Sequence, residues 1–168
     1  MELKSVATIL KRELKPTVKE WLRRVNLLPS LTHVALSDED RALHLPEVFR
    51  DVASRLCLAA DADSPIPVAA IAHGQTRRNQ GYSRSMLVEE SRLLEVVIFQ
   101  TLHLHRAELD HDRLLSDIIA IADEVDLQLT QAVRCFETQP AQAVLSATIN
   151  PPRLSGYEAA ALSEAVCC

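Results

Sequence analysis

Only three glycines occur in the 168 residues, at Gly74, Gly81 and Gly156. A β-rich chain of this length needs many tight turns, and glycine usually supplies them. Scarce glycine beside frequent Leu, Ala, Arg and Glu points instead to helices. The length suits one domain with a substantial core. The expected fold class is therefore all-α, an antiparallel bundle of about five to seven helices. The 48% hydrophobic content argues against global disorder. The net charge is −5 and no basic stripe is visible, so no nucleic-acid partner is expected. No apolar run approaches the ~20 residues of a membrane span. Lys4, Lys11, Arg12, Lys15 and Lys19 precede Trp21 and break any signal-peptide core. A cytoplasmic location is expected.

Periodicity divides the chain. A short helix is expected within residues 2–13 and a second over 17–26, with Pro16 in its first turn and Trp21 as its anchor on the core. Ser37, followed by Asp38, Glu39 and Asp40, reads as a helix N-cap with acidic residues in the first turn. Pro46 interrupts that helix and opens another reaching about Ala60, striped by Val48, Phe49, Val52, Leu56 and Ala59. A loop over 61–67 leads to three long helices. They run from near Val68 to before Gly81, from Ser83 to about Ala107, and from about Asp110 to Thr138. The last repeats Leu114, Ile118, Ile121, Ala122, Val125, Leu129, Val133 and Phe136 at helical spacing. The expected organisation is one helical sensor or dimerisation domain over 1–139. Residues 140–168 then form a linker or a short C-terminal helix leading to an output domain beyond this sequence.

The most informative stretch surrounds Gly81. His73 and Arg77 lie four residues apart and share a helix face. Glu90 falls on the apolar stripe of the next helix, between Leu87 and Leu94. A carboxylate in such a stripe is costly unless paired. If the chain turns between Gly81 and Tyr82, a helical hairpin brings His73 and Glu90 to one height, with Arg77 in reach. A buried polar cluster of His73, Arg77, Tyr82 and Glu90 is expected. It locks the hairpin register, or else it lines a ligand pocket or moves during signalling. A catalytic role would need a nucleophile and a second convergent group, and no catalytic residue is assigned.

The pattern His73-Gly74-x-x-Arg77-x-x-Gln80-Gly81-Tyr82, then Leu87-Val88-x-Glu90-x-Arg92-x-Leu94, resembles the N-terminal helical domain of RsbT co-antagonist (RsbRD-type) proteins and of related bacterial sensor histidine kinases. The similarity covers roughly Leu36 to Phe136, including Leu45-Pro46 and the run from Ile121 to Asp126. Its marked residues are His73, Gly74, Arg77, Gly81, Tyr82 and Glu90. The resemblance implies a non-catalytic input or dimerisation module, acting as a homodimer on its own output domain or a signalling partner. It also implies a globin-like arrangement without haem. The alternative is a globin-like sensor domain binding haem or another small ligand.

Other constellations carry less. His103 and His105 point to different sides of a helix, so no metal site is expected there, and no cofactor is assigned. Asp110, Asp112, Asp117, Asp123, Glu124 and Asp126 read as a solvated face rather than a calcium loop. Cys57 and Cys135 read as small core residues, and the Cys167-Cys168 pair has no assigned role. Leu93 and Val96, with Leu115 and Ile119, lie off the main stripes of their helices, which predicts a two-fold dimer surface.

Overall fold

A computed structural model describes residues 3–58 and 68–138. The expectations for Ala59, the loop over 61–67, the C-terminal linker or helix, and Cys167 and Cys168 lie outside them. The fold is an all-α bundle. Its helices are α1 (Val6–Arg12), α2 (Leu14–Val25), α3 (Pro29–Thr32), α4 (Asp38–Ala42), α5 (Leu45–Arg55), α6 (Val68–Asn79), α7 (Arg84–Leu104) and α8 (His111–Thr138). A 3-10 turn, Arg106–Glu108, joins the last two.

Local chemistry explains the helix ends. The Oγ atoms of Ser5, Ser37 and Ser83 accept hydrogen bonds from the amides of Thr8, Asp40 and Met86, at 3.2, 3.1 and 3.3 Å. Each satisfies one of the orphan donors of a helix start. Pro16 and Pro46 sit in first turns, where a missing N–H costs nothing. α6 stops at Gly81, whose φ of +89° only glycine adopts freely. The Tyr82 amide donates to the Arg77 carbonyl and the Gly81 amide to the Arg78 carbonyl, each at 3.0 Å. This is the Schellman arrangement, and it turns the Tyr82 side chain back toward the core.

Packing differs from the expected hairpin in one respect. α6 lies chiefly against α8, and not along its sequence neighbour α7. α7 packs on α8 and α2, while α5 also rests on α8. The long α8 is thus the hub of the bundle. Its crossing with α6 is tight: a Cβ built on Gly74 would lie 2.2 Å from the Ala132 carbonyl oxygen. A glycine here lets two helix backbones meet, which the apolar period alone does not signal. α2 is pinned to α7 by buried Trp21, whose Nε1 donates to the Glu90 carbonyl at 3.2 Å, and by a 3.0 Å Thr17–Thr101 hydroxyl contact.

The N-terminal segment is stitched to the α7–α8 corner. Lys4 makes a parallel backbone bridge to Leu109. Its ammonium reaches Glu108 at 2.6 Å, and Arg12 grips the same carboxylate at 2.8 and 3.0 Å. His105 joins through Nδ1, 3.0 Å from Glu108. Arg12 and the neighbouring donors hold the Glu108 carboxyl far below its ordinary range.

Several expectations need correction. Cys57 is exposed rather than a core residue. Glu124 belongs to the buried set, with Gln128 donating to it at 2.8 Å, so the acidic series on α8 is not all solvated. Leu93 is buried within the chain, whereas Leu115 and Ile119 remain 70% and 62% exposed. Leu93 therefore drops out of the expected dimer surface, while Val96 is half-buried.

Candidate functional site

The four residues singled out around Gly81 do converge. Arg77 on α6 is 1% exposed and Glu90 on α7 is 2% exposed. They form a two-pronged ion pair. Arg77 Nε donates to Glu90 Oε2 at 3.0 Å and its Nη2 to Oε1 at 2.8 Å. Tyr82 OH donates to Glu90 Oε1 at 3.2 Å. His73 Nε2 stands 3.6 Å from Glu90 Oε2. The hairpin argument placed these groups correctly for the wrong reason. α6 and α7 splay apart against α8, and the Gly81 turn with the long Arg77 side chain closes the gap.

Sequence reasoning missed two members. Arg41, on α4, is buried and donates to the Leu31 and Val34 carbonyls and to Tyr82 OH at 3.2, 2.6 and 3.0 Å. Its carbonyl in turn accepts from Arg77 Nη2 at 2.5 Å. His44, at the start of α5, stacks on His73 with centroids 3.7 Å apart and rings inclined by 20°. The Trp21 and His44 rings lie nearly perpendicular, with centroids 6.0 Å apart. No periodicity flags these two positions, because the break between α4 and α5 at Leu43-His44 redirects the chain. The available signal was a polar pair shortly before a helix-opening proline.

Arg77 completes its fork on the Asp40 carbonyl at 3.2 Å and Gln80 Oε1 at 2.9 Å, and lies over the Tyr82 ring at 4.8 Å. Every donor of this buried cation is thereby used, which burial of a charge requires. Burial pushes the Glu90 carboxyl above its ordinary range, while the Arg77 charge, its hydrogen bonds and Tyr82 pull it back. A proton on Glu90 would leave Arg77 charged and uncompensated in the core, so the pair stands ionised. Burial, then the Glu90 charge, push the Tyr82 hydroxyl up to about 12. Both imidazoles are kept neutral. Burial and then Arg77 bring His73 down to about 3. Burial, His73 and Arg77 hold His44 well below 6.5, against a hydrogen bond to the Arg41 carbonyl.

Two spaces adjoin the cluster. An inner cavity of about 40 Å³ is lined by His44, His73, Glu90, Ser91 and Gln128 among apolar neighbours including Trp21 and Leu94. It has room for waters or a small ion, and is an order of magnitude below the volume of an ordinary ligand pocket. A haem does not fit it. On the outer side, a groove of about 290 Å³ runs past Asp40, His44, Glu47, His73 and Arg77. His44 and His73 line both spaces. His44, His73 and Glu90 also form a set whose donor atoms all lie within 4.8 Å of one another, so the expectation of no metal-ligating group needs revisiting.

No family model, no curated protein and no solved structure matches this chain.

Proposed function

We propose that the chain is a non-catalytic input and dimerisation module of a bacterial signal-transduction protein. On this reading it is cytoplasmic and relays a signal to a C-terminal output domain or a partner. The supporting observation is the buried cluster itself. Three residues of the pattern resembling RsbRD-type domains, Arg77, Tyr82 and Glu90, meet with Arg41 in one charged network joining α4, α6 and α7, beside the histidine pair. Such a network holds its helices in one register while intact and releases them when broken, which gives a relay its two states. It adjoins the α6–α8 crossing, and α8 leads on toward the C-terminal residues. Acid–base chemistry is disfavoured because Arg77 engages both Glu90 oxygens.

No helix of the described residues is long and apolar enough to cross a membrane, which is compatible with this reading. Self-association through the outer face of α8, where Leu115 and Ile119 are exposed, completes it.

Amide hydrogen exchange tests the relay. Tyr82→Phe removes one hydroxyl and its two hydrogen bonds while keeping the ring. The relay predicts faster exchange along the C-terminal half of α8 as well as around residues 77–90. Changes confined to the immediate contacts of Tyr82 would reduce the cluster to a structural lock.

A further inference from the structure

We propose that His44, His73 and Glu90 form a binding site for a divalent transition-metal ion of the zinc class. The site does not depend on the signalling reading. Its donors come from three separate elements: His44 from the start of α5, His73 from α6 and Glu90 from α7. Two imidazoles and one carboxylate are the donor set of open three-ligand zinc sites, where the fourth position takes water or an exogenous ligand.

The spacing is close to what an ion requires. Ligand atoms bound to tetrahedral zinc at 2.0–2.1 Å lie roughly 3.4 Å apart. His73 Nε2 and Glu90 Oε2 are already at 3.6 Å, and no pair in the set exceeds 4.8 Å. Stacked rings point their lone pairs side by side rather than inward. Binding therefore requires a rotation of one imidazole out of the 3.7 Å stack. The groove on the outer side leaves room for that movement and for entry, and Asp40 and Glu47 on its walls attract a cation. The inner cavity of about 40 Å³ accommodates the fourth ligand as a water.

Surrounding contacts resemble those that orient metal ligands. Tyr82 and Arg77 hold the Glu90 carboxylate in place. A carboxylate offers about four lone-pair sites, and Oε2 uses one on Arg77 Nε. The Arg77 charge opposes the ion, although three further acceptors share that guanidinium. The consequence is reversible binding, weaker than that of a closed structural zinc site.

The test is titration of the metal-free full chain with Co2+, whose visible spectrum reports tetrahedral coordination, followed by displacement with Zn2+. Cys57, Cys135, Cys167 and Cys168 are first replaced by serine, since thiolates would compete. The expected result is one Co2+ per chain, displaced by Zn2+. His44→Gln and His73→Gln should each weaken binding at least tenfold while the helical circular dichroism is kept. The absence of tetrahedral bands, or bands that persist in both variants, would overturn the site. If either variant loses its helical signal, ring-nitrogen NMR of the cysteine-free parent decides. Zn2+-induced shifts at His44 and His73 sustain the site, and shifts only at His33, His103, His105 or His111 overturn it.

Discussion

Removal of the Glu90 carboxylate should be among the costliest single changes in this chain. In Glu90→Leu the side-chain volume is largely kept, but Arg77 loses the two charge-assisted bonds at 3.0 and 2.8 Å. It retains only neutral acceptors: the Asp40 and Arg41 carbonyls and Gln80. Breaking a buried pair by removing one partner costs about 3–5 kcal/mol, because the remaining charge is uncompensated. At about 2–4 °C per kcal/mol for a chain of this size, the midpoint should fall by about 6–20 °C. Arg77→Met should cost a similar amount for the reciprocal reason. The double variant Arg77→Met/Glu90→Leu removes both charges and should recover about 2–4 kcal/mol relative to the sum of the singles. Glu89 provides the control. It is partly exposed and, among the described residues, accepts a hydrogen bond from Ser30 at 2.5 Å, so Glu89→Ala should stay within about 0.5 kcal/mol. Urea unfolding followed by far-UV circular dichroism measures all four. Additive single losses, or a Glu90→Leu loss no larger than that of Glu89→Ala, would refute the buried ion pair as a stabilising unit.

Gly74→Ala should destabilise, although alanine is favoured over glycine in a helix by about 1 kcal/mol. The new Cβ meets the Ala132 backbone at 2.2–2.9 Å, and overpacking costs roughly 1–3 kcal/mol; a more stable Gly74→Ala in thermal melts would contradict this close approach. For pH, the sign follows from His73, whose pKa falls from 6.5 to about 3 on folding. The unfolded chain binds the extra proton between those values, so this stability is complete above about 6.5 and lost as pH falls toward 3. The metal-free wild type should therefore lose more stability than His73→Gln between pH 7 and 4, and parallel pH curves would exclude a neutral buried His73. Light scattering should give twice the 18.7 kDa chain mass, with Leu115→Glu/Ile119→Glu monomeric and still folded; a wild-type mass that stays monomeric at all concentrations would end the dimer reading. Leu93→Glu should unfold the chain rather than dissociate it, since Leu93 is buried.

The sequence by itself determined the helical class and most helix positions, because those depend on neighbours within a few residues. Ser37, Ser83, Pro16 and Gly81 act through local backbone groups, and the structure places each at the expected helix end. The stripe on α8 was legible for the same reason. Glu90 also betrayed itself, since a lone carboxylate among Leu87 and Leu94 demands a partner. Tertiary structure decided which helices touch. The Gly74–Ala132 approach sets α6 against α8, and no pattern within α6 announces a partner 58 positions away. It also recruited Arg41 and His44 from a broken helix whose residues satisfy no period of their own. Burial of Leu93 and exposure of Leu115 and Ile119 were settled in the same way. Each depends on which face α2 and α8 happen to cover, and that choice is made by packing across the whole core, not by spacing along the chain.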